Sequence, residues 1–356
     1  MKKVLFTATV DSHILHFHIP YLKMFKENGY EVHVATSEEG EIPYCDVKHR
    51  VSFERSPIKI NNLKAIKQLK KIISEEKFDI IHCHTPMGGV VTRLAARTAR
   101  KNGTRVIYTA HGFHFYKGAP LLNWLVYYPI EKFLSRYTDT LITINQEDYD
   151  IAKKKFHAKE TKLVHGVGVD KSRFDFTMTP EEKKAYRESV GVSENDFVVI
   201  QVGELNENKN QLMSIEAMRK LVHEKPDTKL LLVGTGKLKD FYKRKIEEYN
   251  LDNNIFELGY RKDIPQLLKI SNLCISTSKR EGLPVNIIEA QMSGLPVVAT
   301  DCRGNRDLVC KENLVGIDDV NALAEKIINH NSSACNVEEY ELGKVKKEME
   351  KIYGRS

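Results

Sequence analysis

A chain of 356 residues can hold two ordinary domains, each with its own core. Hydrophobic residues at 41% and charged residues at 29% are those of a soluble globular protein, and no stretch approaches the length that spans a bilayer. The formal charge of +7 suits an anionic small substrate or an anionic membrane surface as well as nucleic acid, so its sign alone chooses no partner.

The N-terminal run Lys3 to Val10 starts like a secretory leader, but Asp11 interrupts it, and it reads better as a first buried strand. A helix follows from Pro20 to Asn28, stopped at Gly29, and then a strand from Glu31 to Thr36. The alternation continues with a lysine-rich helix Asn62 to Glu76, a strand Asp79 to Cys83 and a helix from about Gly89 to Lys101. A strand Arg105 to Thr109, an aromatic-rich helix from about Pro120 to Tyr137 and a strand Thr140 to Ile144 complete the first series. Near-continuous apolar strands alternating with helices predict a parallel sheet covered on both faces. Such sheets bind ligands beyond the carboxyl ends of their strands. That singles out Asp11-Ser12-His13, His84-Thr85-Pro86 and His111-Gly112-Phe113-His114.

After Gly166 to Asp170 the pattern lapses, and Lys171 to Thr179, polar and aperiodic, is the linker candidate. Thr179-Pro180-Glu181-Glu182 reads as a capping box, with Thr179 as N-cap and Glu182 at the third helical position. A second series of strands follows at Phe197 to Val202, Lys229 to Val233, Asn254 to Leu258, Leu273 to Ser276 and Val297 to Ala299. Helices are expected over Asp318 to Asn329 and Val337 to Tyr353. The expected architecture is α/β: two Rossmann-like parallel-sheet domains facing a central cleft. The boundaries are 1–170, a linker 171–185, a second domain 186–335, and a closing helix 336–356 that packs back on the first domain.

The most informative stretch is Lys279 to Asp307. An acidic turn, Glu281-Gly282, precedes a helix that begins near Pro284, carries the apolar stripe Ile287, Ile288 and Met292, and ends at Gly294. A helix start binds phosphate through unpaired N–H groups. Carboxylates flanking it, Glu281 and Glu289, suit hydroxyls instead. The pair points to a nucleotide sugar. Lys209, in the turn after another buried strand, can reach a diphosphate as a mobile point charge; taken alone it reads as a solvated lysine, but its place in the same strand series as Glu281, whose loops open on one edge of one sheet, reverses that. Two other nucleotide folds fail. Thr7 to His13 lacks the glycines of a dinucleotide turn, and Gly234-Thr235-Gly236-Lys237 lacks the first glycine and the Ser or Thr of a P-loop.

His111 ends a strand, as a catalytic histidine can, although most of thirteen histidines are structural. His82 and His84 point one way from their strand and read as a hydrogen-bonded, partly buried pair, not as metal ligands. Arg93, Arg97, Arg100 and Lys101, like Lys64, Lys67 and Lys71, read as solvated helix faces. With the aromatic run Tyr116 to Tyr137 they also fit an anionic bilayer surface. Six cysteines, Cys45, Cys83, Cys274, Cys302, Cys310 and Cys335, form no C-x-x-C pair and read as reduced thiols of a cytosolic protein.

These residues resemble a known family. E-G-L-P-V-N-I-I-E-A-Q-M-S-G-L-P-V-V-A-T from Glu281, with seven residues between its two glutamates, is similar to the paired-glutamate motif of retaining glycosyltransferases of family 4, which have the GT-B fold. V-G-E-L-N-E-N-K-N, L-L-V-G-T-G, L-G-Y-R-K-D-I and T-A-H-G-F-H-F extend the likeness over nearly the whole chain, toward the bacterial exopolysaccharide and capsule type. The resemblance implies that residues 1–170 bind the acceptor and 186–335 a nucleotide sugar. His111 would meet the transferred sugar near its reacting carbon, Glu281 would hold its hydroxyls and Glu289 those of the ribose. Lys209 would neutralise the diphosphate, aided by the backbone of Gly282, Leu283, Pro284 and Val285, with Gly203 and Arg261 also on the donor side. The loop Gly259 to Ile264 would pack on the base. Asp11, Ser12 and His16 would face the acceptor.

The family uses no metal or other cofactor, which agrees with the lack of a D-x-D sequence able to hold a metal–diphosphate. It implies a UDP-sugar donor, a polyprenyl-diphosphate-linked saccharide acceptor, a peripheral place on the cytoplasmic face of the membrane, contact with other polysaccharide-synthesis proteins, and no nucleic acid. Two departures stand out. Glu204 replaces the arginine of the usual Gly-Arg, leaving Arg280, Arg261 or Arg303 to compensate, and the Gly-Gly turn after the first strand is missing. A nucleotide-sugar epimerase of the same fold and a non-catalytic sugar-nucleotide-binding subunit are the alternatives.

Overall fold

The computed structural model describes residues 1–56, 59–330 and 334–354. The chain forms two compact units. One is residues 1–168 together with the C-terminal stretch from Gly343, and the other is residues 169–342.

The first unit is built on seven parallel strands: β1 (Lys3–Thr7), β2 (Glu31–Thr36), β3 (Val47–Arg50), β4 (Ile80–Cys83), β5 (Arg105–Ala110), β6 (Thr140–Thr143) and β7 (Glu160–Leu163), in the order β3-β2-β1-β4-β5-β6-β7. Val4 and Phe6 point to one face, where they join Val32, Val34, Ile107 and Ile142, and Leu5 points to the other, with Ala35, Ile81 and Val106. Both faces are covered, so the inner strands are apolar throughout instead of alternating. The helix Leu342–Ile352 adds Val345, Met349 and Ile352 to the first face, at the three- and four-residue spacing of one helical stripe.

The second unit repeats the plan with six parallel strands: β8 (Phe197–Val202), β9 (Thr228–Val233), β10 (Ile255–Gly259), β11 (Leu273–Ser276), β12 (Val297–Thr300) and β13 (Leu314–Val315), ordered β10-β9-β8-β11-β12-β13. In each sheet the strand order reverses beside the first strand, between β1 and β4 and between β8 and β11. Those two points are where sheets of this kind bind ligands.

Several expectations are corrected. The first strand ends at Thr7, and Asp11, Ser12, His13 and His16 lie on a helix, Asp11–Phe17, not in a loop. β3 and β7 escape a search for apolar runs because they are largely polar and partly exposed, and β13 is only two residues long. The stretch read as a linker contains a 3₁₀ turn, Lys171–Phe174, whose Phe174 is buried in the core of the second unit. The capping box at Thr179 and Glu182 forms as expected. Cys310 and Cys335 are joined as a disulfide, against the reading of six reduced thiols. They stand 25 positions apart, and only the fold brings them together.

The basic stripe does not exist as such. Arg93 is fully buried, donates to the Glu131 carboxylate at 2.8 Å and stacks over the Tyr108 ring. Arg97 stacks on Tyr137, and Arg100 pairs with Asp139. Lys64, Lys67 and Lys71 are solvated.

Candidate functional site

In the second unit the loops after β8 and β11 are tied together. The Gln201 amide donates to Thr277 Oγ1, Thr277 donates to the Lys209 carbonyl, and Ser214 donates to Gln201 Oε1. The Lys279 N–H donates to the Asn208 carbonyl, and the Asn208 amide to that of Arg280. This scaffold aims Lys209 Nζ at Glu281 Oε1, 2.7 Å away. Gly203 lies under the Lys209 stem, where a Cβ would touch the lysine at 3.3 Å. The glycines of Leu231 to Gly236 serve packing: a Cβ on Gly234 would stand 2.0 Å from the Gly203 carbonyl oxygen.

The helix Val285–Met292 begins after Pro284, and no side chain caps it, so its first N–H groups remain for a ligand. Gly282 and Leu283 lead into it. Gly304 passes so close that a Cβ there would lie 2.7 Å from the Gly282 carbonyl oxygen. One turn into the helix, burial raises the Glu289 carboxyl above its ordinary range, while Arg173 at 2.9 Å pulls it back. Arg173 sits in the stretch read as a linker, and no motif marked it.

Among the three candidate cations, Arg261 is held in a two-pronged pair by Asp263 and also meets the Tyr186 hydroxyl. Arg280 is exposed. Arg303 is buried with its Nε donating to the Glu281 carbonyl at 3.0 Å, which places it beside the Lys209–Glu281 pair. Glu204 is exposed, and Tyr260, in the loop after β10, is 73% exposed.

In the first unit the strand ends gather histidines. His84 and His111 follow β4 and β5, His13 lies on Asp11–Phe17, and His18 sits at the break before the helix Ile19–Glu27. His84 Nδ1 and His111 Nε2 are 3.5 Å apart. Burial, and after it the neighbouring imidazoles, push His18, His84 and His111 well below the ordinary histidine value, and His13 to about 4. All four are neutral at pH 7. His82 is hydrogen-bonded as expected, to Thr109 Oγ1 and the Tyr353 hydroxyl, both at 2.8 Å, but it and His84 are fully buried, and His84 Nε2 has no partner. Between His84 and Pro86, Thr85 takes φ +63°, a strained conformation for a β-branched residue and one that keeps the strand-to-helix turn tight.

The acceptor-side assignments divide. Asp11 is buried, and its carboxylate is committed to the Thr36 hydroxyl, the Gly40 N–H and Lys48. Burial alone would raise that carboxyl, but the Lys48 and Thr36 contacts hold it below its ordinary value. The Asp11 carboxylate is thus engaged by groups of its own unit. Ser12 and His16 are exposed and line a cavity of about 650 Å³, together with His13, Phe113, His114, Tyr127 and Ile130. The last two come from the helix Leu121–Leu134. Its aromatics Trp124 and Tyr128 turn inward and pack on Phe115. Its outer face is Leu121, Leu122, Leu125, Val126, Ile130 and Phe133, all 37–73% exposed. The D-x-D spelling Asp148-Tyr149-Asp150 offers no diphosphate site, since the buried Asp148 carboxylate accepts from the Phe113 N–H and the Asn145 amide.

Residues 182–335 match the family model for glycosyl transferases group 1, and residues 3–145 that for glycosyl transferase 4-like domains. The chain is 44% identical over 340 residues to "Putative glycosyltransferase EpsD" of Bacillus subtilis (strain 168), covering 94% of this chain and 89% of that protein. This chain belongs to the group 1 glycosyltransferases. It is also 31% identical over 333 residues to the Escherichia coli UDP-Gal:alpha-D-GlcNAc-diphosphoundecaprenol alpha-1,3-galactosyltransferase, with 88% and 85% coverage. Among solved structures, Anabaena Alr3699/HepE in complex with UDP-glucose superposes with a TM-score of 0.77 at 20% identity, over 99% of this chain and 100% of that one. That likeness establishes the GT-B fold of this glycosyltransferase.

The transferase's fold thus unites Lys209, Glu281, Gly203 and the Gly282–Val285 turn at the switch point of the second unit, and His111 with His84 and His13 beyond the strand ends of the first. Glu289 and Arg173 form a second pair one helical turn on. No helix among the described residues is long and apolar enough to cross a membrane.

Proposed function

We propose that this glycosyltransferase moves a hexose, with retained anomeric configuration, from a UDP-sugar to a polyprenyl-diphosphate-linked saccharide in exopolysaccharide or capsule synthesis. The observation that carries the reading is the Lys209–Glu281 pair at the β8/β11 switch point. In the free protein each charge neutralises the other. A diphosphate competes for Lys209, and the released Glu281 carboxylate then accepts hydrogen bonds from sugar hydroxyls, so donor binding exchanges one set of partners for another.

Charge that builds on the departing diphosphate is met by Lys209 and the N–H groups opening the helix Val285–Met292. Arg303 stands beside them in place of the cation missing at Glu204. Arg261, held by Asp263, positions its loop instead, and Tyr260 offers an exposed ring to the base. Glu289 takes ribose hydroxyls. His111, neutral, presents a ring nitrogen that can bond a sugar hydroxyl without adding charge. No step needs a metal ion.

The first unit takes the acceptor in the cavity lined by Ser12 and His16. The apolar outer face of Leu121–Leu134 supports contact with lipid, since Ile130 belongs to both that face and the cavity. The relatives named above, one of them acting on a diphosphoundecaprenol-linked sugar, support an acceptor of that class. The test supplies UDP-sugars with a polyprenyl-diphosphate-linked saccharide and follows the product's mass and anomeric configuration. Lys209→Met and Glu281→Gln should each lower kcat/KM by about 10²-fold or more. Undiminished transfer by either variant removes that residue's role, and isomerisation of a UDP-sugar without acceptor would favour an epimerase.

A further inference from the structure

The histidines of the first unit do more than surround His111. One ring nitrogen from each of His13, His18, His84 and His111 lies within 4.8 Å of one from every other. Both nitrogens of His18 lack a hydrogen-bond partner, as do Nε2 of His13 and Nε2 of His84, although His18 is 3% exposed and His84 is 0%. Buried polar atoms are nearly always paired, and each exception costs about 1–3 kcal/mol. Three of the four rings, those of His13, His18 and His84, thus carry a nitrogen without a partner, and together they call for a ligand.

The chemistry of the set limits what the ligand can be. A neutral imidazole offers one lone pair, and four of them make an all-nitrogen donor set, which suits zinc and neighbouring transition metals and not magnesium or calcium. With Zn–N bonds of about 2.0–2.1 Å, ligand nitrogens at a tetrahedral ion stand about 3.4 Å apart. His84 Nδ1 and His111 Nε2, 3.5 Å apart, show that the two rings already stand at such a spacing, and from separations of up to 4.8 Å a modest turn of the rings would bring one nitrogen of each to the ion. His82, though adjacent, is excluded because both its nitrogens are bonded elsewhere. His13 lines the cavity and opens a route from solvent.

We propose that His13, His18, His84 and His111 bind a single Zn²⁺ ion. On the functional reading above, the ion occupies the His111 ring that meets the donor sugar. Zinc and transfer then exclude each other, and the site is inhibitory. Only that consequence rests on the functional reading.

The experiment titrates the full-length protein, stripped with a chelator and desalted, with Co²⁺ alone and then with Zn²⁺. The expected result is one equivalent of Co²⁺ with the intense ligand-field absorption of tetrahedral nitrogen coordination, displaced by one equivalent of Zn²⁺. His18→Asn and His84→Gln should each weaken binding at least ~10-fold, while His223→Ala, an exposed histidine of the other unit, leaves it unchanged. A weak six-coordinate spectrum, or binding undiminished in His18→Asn, overturns the proposal and leaves buried water as the partner of these nitrogens. Should the variants melt without cooperativity, the wild-type stoichiometry and spectrum decide. Failure here leaves the transferase reading intact, because that reading is tested separately by product formation, which is run on the chelator-stripped protein.

Discussion

Arg93 is a charge held in the interior of the first unit. With no exposure of its own, it is neutralised by Glu131 and roofed by Tyr108. Removing one partner of such a pair strands the other charge in the interior. Arg93→Ala should therefore cost about 3–5 kcal/mol in a denaturant titration, and Arg93→Met with Glu131→Gln should recover much of it. Equal losses in the single and double variants would deny the pairing. His82 makes a second prediction. Burial, and to a lesser degree the Arg105 charge, pushes it to about 3. The unfolded chain takes up a proton below about pH 6.5 and the folded protein does not. Acidification therefore favours the unfolded state, by up to ~1.4 kcal/mol per pH unit for each such histidine. The urea midpoint should fall between pH 6.5 and pH 5, above the carboxylate range. A midpoint that holds or rises there would contradict a neutral, buried His82.

At the scale of elements, Leu121–Leu134 turns Trp124 and Tyr128 inward and most of its aliphatic residues outward. An outer face with three leucines at least 66% exposed gains nothing for folding in water. Replacing Leu121, Leu122 and Leu125 together by Ser should leave the melting temperature nearly unchanged, since exposed positions contribute within about 0.5 kcal/mol each. The same variant should lose flotation with vesicles containing anionic lipid. Full retention on vesicles would assign the face to another partner. The loops after β8 and β11 show the opposite economy, with backbone and side chain knit into one polar network under Lys209. That rigidity is what a charge aimed at a diphosphate requires.

At the scale of the whole molecule, the chain returns to its beginning. Val345, Met349, Ile352 and Tyr353 complete a core begun by Val4 and Phe6, and the Tyr353 hydroxyl meets His82. A chain ending at Leu342 should lose the cooperative unfolding of the first unit while the second unit retains its own, a difference that hydrogen exchange resolves unit by unit. Unchanged protection of β1 and β4 in that truncated chain would show the closing helix to be dispensable.

By itself the sequence determined the alternation of strand and helix, the capping box at Thr179 and the paired-glutamate turn around Glu281. Each of these depends on residues close together in the chain, where periodicity and local hydrogen bonding leave a direct trace. The polar edge strands β3 and β7 left none, because one exposed face breaks the apolar run. Only the tertiary structure decided the rest. It buried Arg93 where helical spacing suggested a solvated stripe, closed Asp11 off, paired Cys310 with Cys335, and set Arg173 against Glu289 from 116 residues away. It also gathered four histidines from His13 to His111. A charge, a thiol or an imidazole looks the same in sequence whether solvent or a distant partner meets it. What it does is settled by burial and by that partner, and a parallel sheet chooses both through connections that span tens of residues.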